Sequence, residues 1–280
     1  RLVGSEMCIR DRYNTVDSLI VGNFLGSSAL AAVSSSGSLI FMLIGFLSGI
    51  SAGAGVIVAR FFGAGDEKNL QRAVHTTVAF GLVAGVLMTG VGVALSPQIL
   101  RWMDTPESVM RESVTYLQIY FAGSLGFVMY NVLVGILQAV GDSRHPLYYL
   151  IVSSVINLVL DLLFITGFHT GVGGAAVATV ISQIVSALLC FWQLLRTKES
   201  YGLKIRKIRF DKGILVQIIK IGLPSGVQNS IIAFANVIVQ SNINAFGEMA
   251  MAGYGAYTKV EGFGFLPINS FTMALTTFVG

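Results

Sequence analysis

Residues 147–168 read LYYLIVSSVINLVLDLLFITGF. A helix needs about 20 mostly apolar residues to cross the hydrocarbon of a bilayer, and this run carries a single formal charge, Asp161. An aspartate on such a helix is costly in lipid, so its face must point into a helix bundle or a water-filled cavity. Asn157 stands one turn earlier on the same face, with Ser153 and Ser154 a further turn back. The result is a polar stripe on an apolar helix. Carboxylate, amide and hydroxyl oxygens suit a hard cation such as Na⁺, and a carboxyl withdrawn from water can also carry a proton. The plainer alternative is a structural interhelical hydrogen bond.

The composition of the whole chain agrees with that segment. Of 280 residues, 54% are hydrophobic and 11% charged, and the mean hydropathy is +0.75. Soluble domains carry about 25% charged residues, so this is a membrane protein. The 32 glycines suit close helix–helix approach in lipid. A net charge of +4 does not point to nucleic acid, because the basic residues lie in loops between apolar runs. No HExxH, CxxC or nucleophile–His–Asp set occurs, and His75, His145 and His169 lie near helix ends without metal-ligand spacing. Gly53-Ala54-Gly55 reads as a packing surface, since no strand precedes it. Neither an enzyme nor a cofactor is expected.

Eight candidate spans follow: 13–24, 29–58, 74–95, 116–140, 147–168, 174–195, 214–239 and 249–280. The loops after even-numbered spans hold eleven basic residues (Arg60, Lys68, Arg72, Arg144, Arg196, Lys198, Lys204, Arg206, Lys207, Arg209 and Lys212), and the alternate loops only Arg101 and Arg111. That bias puts the even-numbered ends, and the native N-terminus, in the cytoplasm. The basic loop 196–213 is the expected boundary between two halves. It is a topology signal and linker that could also bind anionic lipid heads. An internal repeat supports the division: Asn23, Gly26, Ala29 and Ala31 recur as Asn244, Gly247, Ala250 and Ala252 at a constant offset of 221 residues. The first and seventh spans are then equivalent. The expected organisation is residues 13–195 as a six-span first lobe, its first span short, and 214–280 as about two spans of a second.

Other polar residues fall within the spans. Asp17 shares a helix face with Tyr13, and is either a proton carrier or an interfacial aspartate at a helix end. Thr179, Ser182 and Gln183 lie along the sixth span, where hydroxyls commonly bind helix to helix. The seventh span is rich in amides (Gln228, Asn229, Asn236, Gln240, Asn242 and Asn244), which fits a cavity wall contacting substrate. Pro224 fits the first turn of that helix, and Pro267 is placed to kink the eighth. Glu261 is a further candidate for ion or substrate contact.

Residues 1–12, RLVGSEMCIRDR, differ from everything after them and have no apolar leader core. Back-translation of Glu6 to Asp11 as GAG ATG TGT ATA AGA GAC AG resembles the mosaic end of a transposase sequencing adapter. The segment is therefore expected to be non-native, which leaves Cys190 as the native cysteine. A natural cytoplasmic tail is the alternative.

The ordered segments YNTVDSLIVGNFLGSSALAAV, GISAGAGVIVARFFGAGD, GILQAVGDSRHP, INLVLDLLFI-x-G, GVGGAAVATVISQ, IGLPSGVQNS and NAFGEMAMAGYGAYTKVEGFGFLP cover nearly all of residues 13–280. In this order they resemble the multidrug and toxic compound extrusion (MATE) family, on its DinF-like or MepA-like bacterial side. The resemblance implies an all-α polytopic fold of two six-helix lobes, and a monomeric inner-membrane transporter that exchanges H⁺ or Na⁺ for drugs or other amphipathic or cationic small molecules. It also implies a cation-coupling site at Asp17, Tyr13, Asn157, Asp161 and Thr179, with Asp17, Asn157, Asp161 and Thr179 holding Na⁺ if Na⁺ is the ion. The seventh-span glutamate of the NorM-type branch has no counterpart, since that region reads Asn229-Ser230-Ile231-Ile232. A flippase for lipid-linked precursors, from the same superfamily, would carry a strongly cationic cavity, and the spans hold little beyond Lys220 and Lys259. An intramembrane enzyme would need a catalytic set that is absent from the sequence.

Overall fold

A computed structural model describes the backbone of residues 18–279, and the side chains there of all but Ser38, Phe41, Ile232, Lys259, Phe263 and 266–279. The elements are α1 (18–25), α2 (Ser27–Gly63), α3 (Glu67–Trp102), α4 (Glu107–Ala122), α5 (Ser124–Ala139), α6 (Arg144–Leu162) with a π-helical turn Leu163–Gly167, α7 (Val172–Arg196), α8 (Lys212–Asn244) and α9 (Glu248–Val279). Helices α2, α3, α6 with its π turn, α7 and α8 are each long and apolar enough to cross a membrane. The α4–α5 pair, bent by 49°, makes a sixth span if counted as one.

Local chemistry sets the helix ends. Asp66 caps α3 by accepting the Asn69 amide at 3.1 Å. The Asn69 backbone and side-chain N–H groups hold the Asp66 carboxyl below its ordinary range. Gly26 and Gly247, aligned by the sequence repeat, precede α2 and α9 at φ of 91° and 89°, a conformation glycine adopts without strain.

Two expectations are corrected. The span expected at 116–140 is two helices meeting at Gly123. A Cβ there would lie 2.3 Å from a methyl carbon of Val180, so a bare backbone lets the corner press against the stiff, branched side chain of α7. Pro224 is not in a first helical turn, because α8 starts at Lys212 behind the cap of Asp211 on the Ile214 amide (3.2 Å). It lies inside the helix, where it supplies no N–H to the Lys220 carbonyl.

Burial is inverted relative to a soluble helix. Along α6 the buried residues are Pro146, Leu150, Ser153, Asn157 and Asp161, while Val152, Val155, Val159 and Leu162 are exposed. A polar inner face and an apolar outer one suit lipid surroundings.

The most extensive helix–helix contact joins α2 to α8. Gly45, Gly49 and Gly53 recur at every fourth residue of α2 and meet an antiparallel α8. A Cβ on Gly49 would lie 2.3 Å from the Gly226 nitrogen, and one on Gly53 would lie 2.4 Å from the Gly222 Cα. At one end of this seam Arg60 donates to Gln217 Oε1 (2.7 Å). At the other, Asn244 donates to Ser35 Oγ (3.3 Å) and to the Met103 carbonyl (2.9 Å).

The loop between α7 and α8 is pinned to the first turns of α3. Gln71 Nε2 donates to the carbonyls of Ser200 (2.5 Å) and Gly202 (3.1 Å). His75 Nε2 accepts the Lys204 amide at 3.0 Å, so its proton sits on Nδ1 and is donated to the Gln71 carbonyl. Thr76 Oγ1 accepts the Asp211 amide at 3.1 Å. His75→Leu removes the acceptor from the Lys204 amide. Limited trypsinolysis after Lys204, Arg206, Lys207 or Arg209 should then run roughly fivefold faster, as loss of about 1 kcal/mol of local stability predicts. Equal cleavage rates would show that the clasp does not hold the loop.

Candidate functional site

The polar stripe of α6 faces a matching stripe on α7. Asn157 Nδ2 donates to Thr179 Oγ1 at 3.5 Å, and Thr179 Oγ1 donates to the Ala175 carbonyl at 3.0 Å. Ser153 Oγ donates to the Ser182 carbonyl (2.9 Å), and Ser182 Oγ to the Thr179 carbonyl (2.8 Å). Ser153, Asn157, Asp161, Thr179, Ser182 and Gln183 are all buried, with Asp161 at 1% exposure. The fold thus gathers Asn157, Asp161 and Thr179 on facing sides of one helix pair. Tyr13 and Asp17, like residues 1–12, lie outside the described residues.

One feature of the site gives no signal in hydropathy. The α-helix ends at Leu162, directly after Asp161, and continues as the π turn Leu163–Gly167. Phe164 O accepts both the Thr170 amide (3.1 Å) and the Thr170 hydroxyl (2.8 Å). Such widened turns recur at functional sites. Here it follows the only carboxylate of the span.

The chemistry available is oxygen ligation and proton holding. Asp161, Asn157 and Thr179 offer carboxylate, amide and hydroxyl oxygens, the hard donors that suit Na⁺. Among the described residues no group of three or more His, Cys, Asp or Glu comes together as a metal centre.

The residues expected to contact substrate are scattered. Gln228, Asn229, Asn236 and Glu261 are exposed, and Glu261 accepts from the Tyr257 hydroxyl at 3.1 Å. Gln240 is not on an open wall: it is buried and donates to Asn244 Oδ1 at 2.8 Å. The amide run gave no hint of this, because one helical stripe serves both packing and exposure.

Two cavities open elsewhere, and none of those five residues lines either. One, of about 510 Å³, lies between α2 and α5 and carries Ser48, Ser51, Tyr130, Asn131 and Gln138. The other, of about 700 Å³, lies between α2, α3 and α8 and is almost wholly apolar, with Met42, Met88, Trp102 and Phe234 in its wall and Asn242 at its edge. No sequence motif marks them, since their walls come from helices far apart in the chain.

A sequence model of the family described as MatE matches residues 3–163. The probable multidrug resistance protein YoeA of Bacillus subtilis (strain 168) is 34% identical over 270 residues, covering 94% of this chain and 58% of that protein. The multidrug export protein MepA of Staphylococcus saprophyticus is 25% identical over 255 residues, covering 91% and 56%. An inward-facing multidrug resistance MATE family transporter of the MOP superfamily superposes with a TM-score of 0.85 at 28% identity, over 91% of this chain and 58% of that one. A MATE structure in the bent conformation gives 0.81 at 26% identity, over 95% and 60%. The chain thus spans about three-fifths of the length of these relatives.

Proposed function

The chain belongs to the MatE family of multidrug efflux transporters, and from that premise we propose that the full-length protein exports amphipathic or cationic small molecules by alternating access, in antiport with H⁺ or Na⁺. The observation that carries this reading is the buried polar face of Ser153, Asn157 and Asp161 against Thr179 and Ser182, inside helices whose outer faces are apolar. Placing a carboxylate there is costly, and an ionisable group kept inside a span marks an ion or proton pathway. The coupling site we propose is Asp161, Asn157 and Thr179, joined by Asp17 and Tyr13. The two cavities are volumes a small apolar or amphipathic molecule could enter.

The setting we propose is the bacterial inner membrane. The loops rich in Lys and Arg face the cytoplasm there, the N-terminus lies on the same side, and the transporter acts as a monomer among lipids.

The test is efflux by the full-length protein in vesicles, with pH and Na⁺ gradients imposed separately. Export is expected to follow one of the two and to reverse when that gradient is reversed. Export indifferent to both would overturn antiport.

A further inference from the structure

We propose that the loop between α7 and α8 is a docking surface for anionic phospholipid headgroups, with Ile205 and Phe210 inserted at the acyl boundary. The proposal rests on the chain lying in a bilayer and not on the transport reading.

Seven basic residues, Arg196, Lys198, Lys204, Arg206, Lys207, Arg209 and Lys212, are all exposed in this loop and its flanks, against two acids, Glu199 and Asp211. Asp211 is already engaged: it caps α8 through the Ile214 amide and lies 3.8 Å from Arg72. A topology signal needs only the charge, but this loop has a built shape. Leu203 is buried and Ile208 packs against the same core. The Gln71, His75 and Thr76 bonds hold the backbone of residues 200–211 to α3, and a single 3₁₀ turn, Ile205–Lys207, shapes its middle.

That shape turns two large apolar side chains outward among the cations. Ile205 is 61% exposed and Phe210 45%. In water they would bring only cost. At a membrane surface, basic side chains on phosphates and apolar side chains in the acyl boundary act together. The depth fits. Trp192, at the end of α7, is half exposed, and the Arg196 guanidinium lies 5.1 Å from its ring centroid. Exposed tryptophan marks the headgroup level of a spanning helix, and the loop begins at Thr197, five residues later. Charge complementarity therefore selects an anionic lipid, and the protruding apolar pair selects a lipid over a soluble acidic protein.

Residues 1–280 hold two tryptophans, so Trp102→Phe, with any tryptophan of the full-length protein outside these residues also replaced by Phe, leaves Trp192 as reporter beside the loop. Reconstituted in phosphatidylcholine vesicles, it is titrated with brominated phosphatidylglycerol or brominated phosphatidylcholine. Trp192 should be quenched at a several-fold lower mole fraction of the glycerol lipid, and the preference should shrink with added salt. Removing four of the seven charges with K204Q/R206Q/K207Q/R209Q should reduce the preference several-fold. I205S/F210S should weaken quenching while leaving what remains salt-sensitive. Equal quenching by the two lipids in the protein with its loop intact would overturn the proposal whether or not the variants fold. So would an undiminished preference in the quadruple variant with unchanged helical circular dichroism. Neither measurement imposes an ion gradient, so their failure is distinct from failure of the transport reading.

Discussion

Asp161→Asn is expected to reduce gradient-driven export by the full-length protein at least about tenfold, a loss of roughly 1.4 kcal/mol or more in driving the cycle, while its amount in the membrane is unchanged. Asparagine has nearly the shape of aspartate and forms hydrogen bonds, so the packing of α6 on α7 should survive. It cannot take up or release a proton, and it brings no negative charge to a cation. An antiporter needs its coupling ion to favour one conformation over the other by a few kcal/mol, and the buried carboxyl is the group through which we propose this happens. Substrate binding measured without a gradient should persist, which separates lost coupling from lost folding. Undiminished coupled export by Asp161→Asn would remove Asp161 from the site.

The second large effect is structural. Gly49→Leu should force α2 and α8 apart, because even a methyl at that position would lie 2.3 Å from the Gly226 nitrogen and 2.4 Å from its Cα. The obstructing atoms are backbone and have no rotamer to escape into, so the cost should reach or exceed the ~1–3 kcal/mol usual for an overpacked site. One turn away, a Cβ on Gly45 would stand 3.6 Å from the Asn229 Cβ, within the range a disulfide requires. In a full-length protein otherwise free of cysteine, G45C/N229C should therefore cross-link readily on mild oxidation. Adding Gly49→Leu should cut that yield several-fold, with Gly49→Ala intermediate. Cross-linking that stays complete with leucine at 49 would mean the helices do not approach as described.

Much of this protein is readable along the chain. The apolar runs give the helices, and the recurrence of Asn, Gly and Ala at one offset aligns the segments that precede α2 and α9. Gly26 and Gly247 do share a positive φ. Asn157 and Asp161 stand out because a carboxylate and an amide one turn apart on an apolar helix need an internal face. The break at Gly123 was not readable, since hydropathy carries no information about a collision with Val180 some sixty residues away. The roles within the amide run of α8 were not readable either: Gln240 and Asn244 are consumed at the seam with α2 and α3, while Asn229 and Asn236 stay exposed.

Sequence alone determined the solvent this chain requires, its helical class, its family and the identity of its costly buried carboxylate. The family follows from the ordered set of motifs that resembles it, and the others from composition or from the period of a single helix. Tertiary structure decided what lies opposite: that Thr179 and Ser182 meet the Asp161 face, that α2 and α8 touch backbone to backbone, and that His75 clasps a loop distant in sequence. Those facts depend on contacts between helices, and no local pattern encodes a contact whose two halves lie tens to hundreds of residues apart.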